Sequence, residues 1–134
     1  MDLVATLRDR WKIHPSERAA VSGSTLAAFE AKHGIVLPRD LRTYFLELGG
    51  TEHCVVDDEA SSFWPLEKVD QAAADGPPDY FAFADWMIES GRWAIRLSAN
   101  PTDENTVLFD EGFVVAKSFT EFMGKYLKDI NSVR

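Results

Sequence analysis

Three consecutive acidic residues, Asp57, Asp58 and Glu59, are the densest group of side chains in this sequence that could bind a cation. A calcium loop alternates its oxygen ligands along the chain and contains a glycine, and this stretch does neither. We therefore expect an exposed acidic loop rather than a metal site. The acidic pair Asp103 and Glu104 is interpreted in the same way.

Histidine and cysteine do not form a recognisable catalytic pattern either. His53 and Cys54 are neighbours, and neighbouring side chains of a strand point to opposite faces, so they cannot pair as base and nucleophile without help from elsewhere. His14, His33 and His53 lack the spacing of zinc ligands. The sequence contains neither a glycine-rich phosphate loop nor a G-x-S-x-G motif. We expect a protein that is not an enzyme and that binds no metal or cofactor.

Charge divides the chain into three parts, although its net charge is only −8. Residues 1–50 carry six acids and seven bases, residues 51–116 carry fourteen acids and three bases, and residues 117–134 carry two acids and four bases. The net charges are therefore +1, −11 and +2. A nucleic-acid binder needs the opposite sign, whereas an acidic surface attracts a basic protein partner. The plainer alternative is a solvated surface that only keeps the protein in solution.

The acidic middle section, residues 51–116, is also rich in aromatic residues. A tryptophan beside a proline, as in Trp64-Pro65, is expected to be partly exposed. Aromatic residues ringed by acids suit a protein-binding patch, because interface hot spots favour tryptophan and tyrosine; packing in the core is the other interpretation. The candidate partner-binding residues are Asp57, Asp58, Glu59, Trp64, Asp85, Asp110 and Glu111.

Length and composition favour one domain over residues 1–134 in a reducing compartment. Cys54 is the only cysteine, so no disulfide can form within the chain. Asp2, Arg8 and Arg10 interrupt any apolar segment at the start, and no apolar run approaches the roughly 20 residues of a membrane helix. We expect a cytoplasmic protein that does not bind membranes.

The stretch AKHGIVLPRDLRTYFLELGG, residues 31–50, predicts a helix, a corner and a second helix. Ser24 can cap the first helix, over residues 25–33, and Gly34 suits the positive φ at its end. Pro38 suits the first position of the second helix. The apolar stripe of that helix is Leu41, Tyr44, Phe45 and Leu48.

Strand patterns fill the middle of the chain, between a first helix ending near Trp11 and a last helix. The segment FWPLEKV contains a proline and is predicted to be extended and irregular, and Ser118 and Glu121 form a capping box for the last helix. The strands are predicted around 51–56, 81–88, 93–97, 107–109 and 113–115, with turns at 89–91 and 110–112 and a positive φ at Gly112. This order predicts an α+β fold, an antiparallel sheet with N-terminal helices and a C-terminal helix packed on it.

The same motifs, taken in order, resemble the SUKH superfamily, in its Smi–Knr cell-wall-regulator branch. That family shows an acidic residue in a helix, a glycine, an apolar-Leu-Pro corner, a second helix and a Gly-Gly. It then shows an F-A-D-aromatic-apolar strand, a W/Y-A-I strand and a closing S-F-x-x-F helix. The matching residues here are Glu30, Gly34, Leu37-Pro38, Gly49-Gly50, Phe83-Ala84-Asp85-Trp86, Trp93-Ala94-Ile95, Ser118-Phe119 and Phe122. The resemblance covers about residues 22–130, and it departs from the pattern at Leu48, where members often have asparagine.

The resemblance implies an α+β fold without established catalytic residues. Many bacterial members look like immunity proteins that bind and neutralise a toxin domain in the cytoplasm, and eukaryotic members act as interaction hubs in cell-wall signalling. The resemblance therefore implies an immunity-type protein, and the acidic middle section favours a basic toxin domain as its cognate partner. The alternatives are a non-catalytic hub of the cell-wall-regulator type and a small-ligand binder that uses the tryptophan-rich region.

Overall fold

A computed structural model describes residues 2–11, 20–49, 59–100, 103–110 and 112–134. Five strands form one sheet in the order β1-β2-β3-β4-β5, with every neighbouring pair antiparallel. The predicted α+β fold, with N-terminal helices, an antiparallel sheet and a C-terminal helix, is confirmed. The elements are α1 (Leu3–Trp11), α2 (Gly23–His33), α3 (Arg39–Glu47), β1 (Ser61–Phe63), α4 (Leu66–Gln71), β2 (Tyr80–Trp86), β3 (Gly91–Arg96), β4 (Val107–Phe109), β5 (Phe113–Ala116), α5 (Phe119–Lys128) and a 3₁₀ turn at Ile130–Val133.

The helix–corner–helix is present, with its caps shifted by up to two residues. Ser22, not Ser24, is the N-cap of α2, and its Oγ accepts the N–H of Thr25 at 3.2 Å. Gly34 has φ 64° and ends the helix as predicted. Pro38 is the N-cap of α3 rather than its first residue. The predicted stripe of α3 is buried throughout, at Leu41, Tyr44, Phe45 and Leu48.

Glu30 holds the corner between α2 and α3. Its Oε2 accepts the backbone N–H of Leu37 at 2.8 Å and an N–H of the Arg42 guanidinium at 2.5 Å. The carboxylate thereby satisfies a backbone donor outside regular structure and pairs with a charge on the next helix. This contact explains why an acidic side chain stands at this position of the motif.

The aromatic core lies between the sheet and α5. Phe83 of β2 and Trp93 of β3 contact Phe122 of α5, with ring centroids 5.3 and 5.5 Å apart. Tyr126 lies 5.9 Å from Trp93, and the indole N–H of Trp93 donates to the carbonyl of Val133 at 2.7 Å. The last helix begins as predicted, because Ser118 Oγ accepts the N–H of Glu121 at 3.0 Å.

Two sequence predictions about the middle of the chain are wrong. The segment FWPLEKV is extended only at its start, where Phe63 ends the edge strand β1. From Leu66 onward it is helical, because Pro65 is the N-cap of α4, where its fixed φ suits a helix start and its missing N–H is not needed. In the hairpin between β4 and β5, the positive φ belongs to Asp110, at 53°, and not to Gly112; aspartate tolerates this conformation better than most residues. The strand predicted at 51–56 lies outside the described residues.

Phe122 offers a test of this packing. Phe122→Ala leaves a cavity among four aromatic rings, and we expect the free energy of unfolding to fall by about 3–5 kcal/mol. Urea denaturation measures this, with Leu46→Ala as the control, because Leu46 is 38% exposed on α3. Equal losses for both variants would contradict the described core.

Candidate functional site

Two turns lie together at one end of the sheet. The β2–β3 turn, residues 87–90, and the β4–β5 turn, which contains Asp110, are neighbours because β3 and β4 pair antiparallel. The backbone N–H of Asp110 donates to the carbonyl of Arg92 at 2.8 Å, which joins the two. We call residues 87–90, Asp110, Phe113 and Val114 the turn end.

The turn end exposes an unusual amount of apolar side chain. Met87 is 50% exposed, Ile88 88%, Phe113 68% and Val114 64%. These are four of the six large hydrophobic residues that are exposed in the described part of the chain. Single exposed apolar residues are ordinary on a protein surface, but a cluster at one place marks a surface that contacts something.

The backbone of the β2–β3 turn is strained at the same residues. Met87, Ile88 and Glu89 have φ of 54°, 53° and 63°, three consecutive left-handed residues without a glycine. This conformation costs an L-residue roughly 1–2 kcal/mol, and a β-branched residue such as isoleucine is seldom found in it. Glycine or asparagine would be the natural choice for folding alone.

Hydrogen bonds hold this strained turn in place. Asp85 Oδ1 accepts the backbone N–H of Glu89 at 3.1 Å. The N–H of Met87 donates to the carbonyl of Ala60 at 2.9 Å, and the hydroxyl of Ser90 donates to the carbonyl of Met87 at 2.8 Å. The turn is therefore fixed from β2, from the residues before β1 and from within itself.

Trp64 and Asp85, two predicted partner-binding residues, meet beneath the turn rather than at the surface. Trp64 is 1% exposed and Asp85 3%, so the prediction that Trp64 is partly exposed is wrong. The Trp64 indole N–H donates to Asp85 Oδ2 at 2.6 Å, and Lys68 Nζ lies 3.9 Å from the same oxygen. A buried carboxylate needs such hydrogen-bonding and charged partners. Because both side chains are buried, Trp64 and Asp85 stabilise the fold.

The other predicted residues divide by position. Asp110 is exposed, and its side chain makes no hydrogen bond or ion pair with any described residue. Glu59 is half-buried with Oε1 3.7 Å from Arg10 Nη2, and it precedes Ala60, so it lies beside the β2–β3 turn. The structure thus brings Glu59, Asp85 and Asp110 toward one end of the sheet. Asp57, Asp58 and Glu111 lie outside the described residues.

A small cleft of about 140 Å³ adjoins the turn end on the sheet face opposite the aromatic core. Ala82 and Ala94, paired across β2 and β3, are among its lining residues, and their short side chains leave the space open. Asp75, Glu89 and Asp110 also line it. Arg92 lines it as well and pairs with Glu89, so Asp75 and Asp110 give the cleft its acidic character.

Sequence reasoning missed the exposed apolar turn. The residues Met87 and Ile88 continue a run of aromatic and apolar residues, which favoured a strand as far as residue 88. The observed strand ends at Trp86. The turn predicted at 89–91 therefore begins two residues earlier than expected, and no glycine, asparagine or proline in residues 86–88 signals that start.

A second polar cluster joins α2 to α4. His33 Nε2 lies 2.6 Å from Asp70 Oδ1, and Lys32 Nζ lies 2.9 Å from Asp70 Oδ2. Hydrogen bonds from His33, and then from Lys32, lower the pKa of Asp70 below its ordinary value. This contact fixes the relative position of the two helices.

Across the described ranges, we find no group of three or more histidine, cysteine or acidic residues arranged to hold a metal ion. Those ranges also contain no helix with the length and apolar character needed to cross a membrane. His33 belongs to the helix contact just described, through its pairing with Asp70.

The fold defines a class of α+β protein in which a helix–corner–helix precedes an antiparallel meander and one closing helix. The SMI1 / KNR4 family (SUKH-1) matches residues 20–125, which is most of the chain. The chain belongs to this family, and the resemblance to the SUKH superfamily is confirmed. None of the curated proteins matches the chain.

Asp85 provides a test of how the turn end is supported. Asp85→Asn replaces one acceptor oxygen by an NH₂ group that faces a donor, either the Trp64 indole or the Glu89 amide. We expect the free energy of unfolding to fall by about 1–3 kcal/mol, the usual cost of an unsatisfied buried donor. Asp110→Asn, the exposed control, should change it by less than about 0.5 kcal/mol. If urea denaturation gives similar losses in the free energy of unfolding for the two variants, Asp85 does not support the turn end.

The lowered pKa of Asp70 predicts that the stability of the fold depends on pH. Because the pKa of Asp70 is lower in the folded chain than its ordinary value of 3.8, its carboxylate stabilises the fold above the unfolded pKa. That contribution is lost as pH falls through the folded pKa. Asp70→Asn should therefore lower the urea midpoint at pH 7 and have a smaller effect near pH 3. A difference from the wild type that stays constant between the two pH values would rule this out.

Proposed function

We propose that this chain is an immunity-type protein that binds and neutralises a cognate toxin domain of basic charge. Membership of the SMI1 / KNR4 family supports either an immunity-type or a Smi1/Knr4-like protein. As the sequence resemblance implies, proteins of both kinds act by binding other proteins. The choice between them depends on the surface that this chain offers to a partner.

The observation that carries the proposal is the excess of acid in residues 51–116, which hold fourteen acids and three bases. All three bases already have an acidic neighbour within this section. Lys68 lies 3.9 Å from Asp85, Arg92 pairs with Glu89, and Arg96 lies 3.6 Å from Asp103. Three further carboxylates of the section, Glu59, Asp70 and Glu104, pair with bases outside it. The described carboxylates that make no ion pair with another described residue, and so act on the surroundings, are Glu67, Asp75, Asp79 and Asp110.

Such a surface suits a toxin whose own site must attract a negatively charged substrate, as a nuclease site attracts phosphates. Carboxylates placed against basic groups raise the rate of encounter and compete with the substrate for the same groups. A partner protein without basic charge would not be attracted by the negative electrostatic field of the acidic section. The expected partner is therefore a basic toxin domain, and blockage of its substrate site is the expected mode of neutralisation.

The first test is growth protection. Each toxin domain encoded beside this chain is expressed in a host that lacks both, with and without the chain. We expect the wild type to restore growth against one basic toxin domain. Binding to several unrelated proteins, with no protection against any neighbouring toxin, would instead favour the interaction hub. A small molecule that raises the unfolding temperature by mass action would favour the ligand binder.

The acidic section is tested by two variants with the same change of charge. Asp57→Asn, Asp58→Asn and Glu59→Gln together remove three negative charges from it, and Asp9→Asn, Glu47→Gln and Glu121→Gln remove three from elsewhere. We expect the first variant to slow association with the toxin about tenfold at low salt, and the second to slow it much less. Rising salt should reduce the difference, because it screens exposed charge. Equal association rates would remove residues 57–59 from the interface.

A further inference from the structure

Two independent anomalies coincide at one residue of the turn end. Ile88 is 88% exposed, more than any other large hydrophobic residue described, and it has φ 53°. Neither feature favours folding, because exposed apolar surface gains nothing from burial and a left-handed isoleucine is strained. Strain of this kind persists where the surrounding structure enforces it, and it is found mainly at functional positions.

The surrounding structure does enforce it. The carboxylate beneath the turn, Asp85, is itself buried and fixed by the indole of Trp64, so it presents a rigid acceptor to Glu89. The turn therefore holds Met87 and Ile88 outward in one conformation before any contact is made. A pre-ordered apolar projection loses little conformational entropy on binding, which favours affinity.

The charges beside the projection determine the kind of partner. Residues 87–90 and 110–114 contain three acids and no base. Two bases lie next to these turns. Arg92 is paired with Glu89, with its guanidinium carbon 5.1 Å from the centroid of the Trp64 ring, and Arg134 donates to Asn131 Oδ1 with its guanidinium carbon 4.2 Å from the centroid of the Trp86 ring. The exposed Asp110 carboxylate remains without a pairing among the described residues. A complementary surface would be an apolar depression with lysine or arginine at its rim.

We propose that the turn end is a docking surface in which Met87 and Ile88, with Phe113 of the adjoining β4–β5 hairpin, enter an apolar depression rimmed by basic side chains on a protein partner. In this arrangement Asp110 and Glu89 face the basic rim, and the apolar side chains fill the centre, where binding energy concentrates in protein interfaces. This inference shares with the proposed function only the basic character of the partner. It does not require the partner to be a toxin.

The test uses a photoreactive amino acid placed at single positions of the full chain in cells of the source organism. We compare Ile88→p-benzoylphenylalanine and Phe113→p-benzoylphenylalanine with the same replacement at Val36 and Leu46, which are 41% and 38% exposed and lie outside the turn end. We expect one protein of positive net charge to crosslink from positions 88 and 113 and not from the two controls. No crosslink from 88, equal crosslinking from the controls, or an acidic product would overturn the inference.

A second variant separates contact from folding. Asparagine tolerates a left-handed backbone, so Ile88→Asn removes the apolar side chain without opposing the turn. We expect its unfolding midpoint to equal or exceed that of the wild type, and its dissociation constant for the crosslinked protein to rise about 30-fold. Leu46→Gln, the control on α3, should leave the dissociation constant unchanged. A lower midpoint, or unchanged binding, for Ile88→Asn would overturn the inference.

The two proposals fail in different ways. If the wild type protects against a toxin and Ile88→Asn protects equally well, the docking surface is wrong and the immunity function stands. If the wild type protects against no neighbouring toxin while positions 88 and 113 still crosslink to one basic protein, the immunity function is wrong and the docking surface stands.

Discussion

The buried carboxylate of Asp85 is the interaction on which this end of the molecule depends. A charge that is 3% exposed requires donors, because water no longer solvates it. The donors are the indole of Trp64 and the amide of Glu89, with the ammonium of Lys68 at 3.9 Å. They come from the segment before α4, from α4 itself and from the β2–β3 turn. One carboxylate therefore couples the position of α4 to the shape of the turn.

Residues that stabilise the turn end can therefore be distinguished from residues whose side chains are exposed on it. Asp85 belongs to the F-A-D-aromatic motif that carries the family resemblance, and its contacts are internal. Glu30, the acidic residue of the other motif, likewise holds a corner. The apolar position of that motif falls at Met87, and the exposed residue Ile88 comes directly after it. The family motifs thus build a scaffold, and the side chains offered to a partner stand at its edge.

The sequence predicted the parts of the fold that depend on local rules and missed those that depend on distant partners. The stripe of α3, the N-cap of α5 at Ser118 and the alternation of β3 follow from spacing alone, and the structure contains all three. The burial of Trp64 could not be predicted in this way, because its acceptor lies 21 residues away. The β2–β3 turn was predicted only at residues 89–91, and its earlier start could not be, since Met87 and Ile88 adopt a conformation for which their types give no signal.

Charge and apolar contact would act at different stages of binding to a partner. Carboxylates spread over the middle section act at a distance and govern how often two molecules meet, so their effect weakens with salt. The side chains of the turn end act only on contact, and they govern how long the complex lasts. Ile88 contributes nothing to long-range attraction and Asp110 buries little apolar area. A surface that holds both kinds of side chain on two adjoining turns is therefore suited to a partner that must be captured quickly and released slowly.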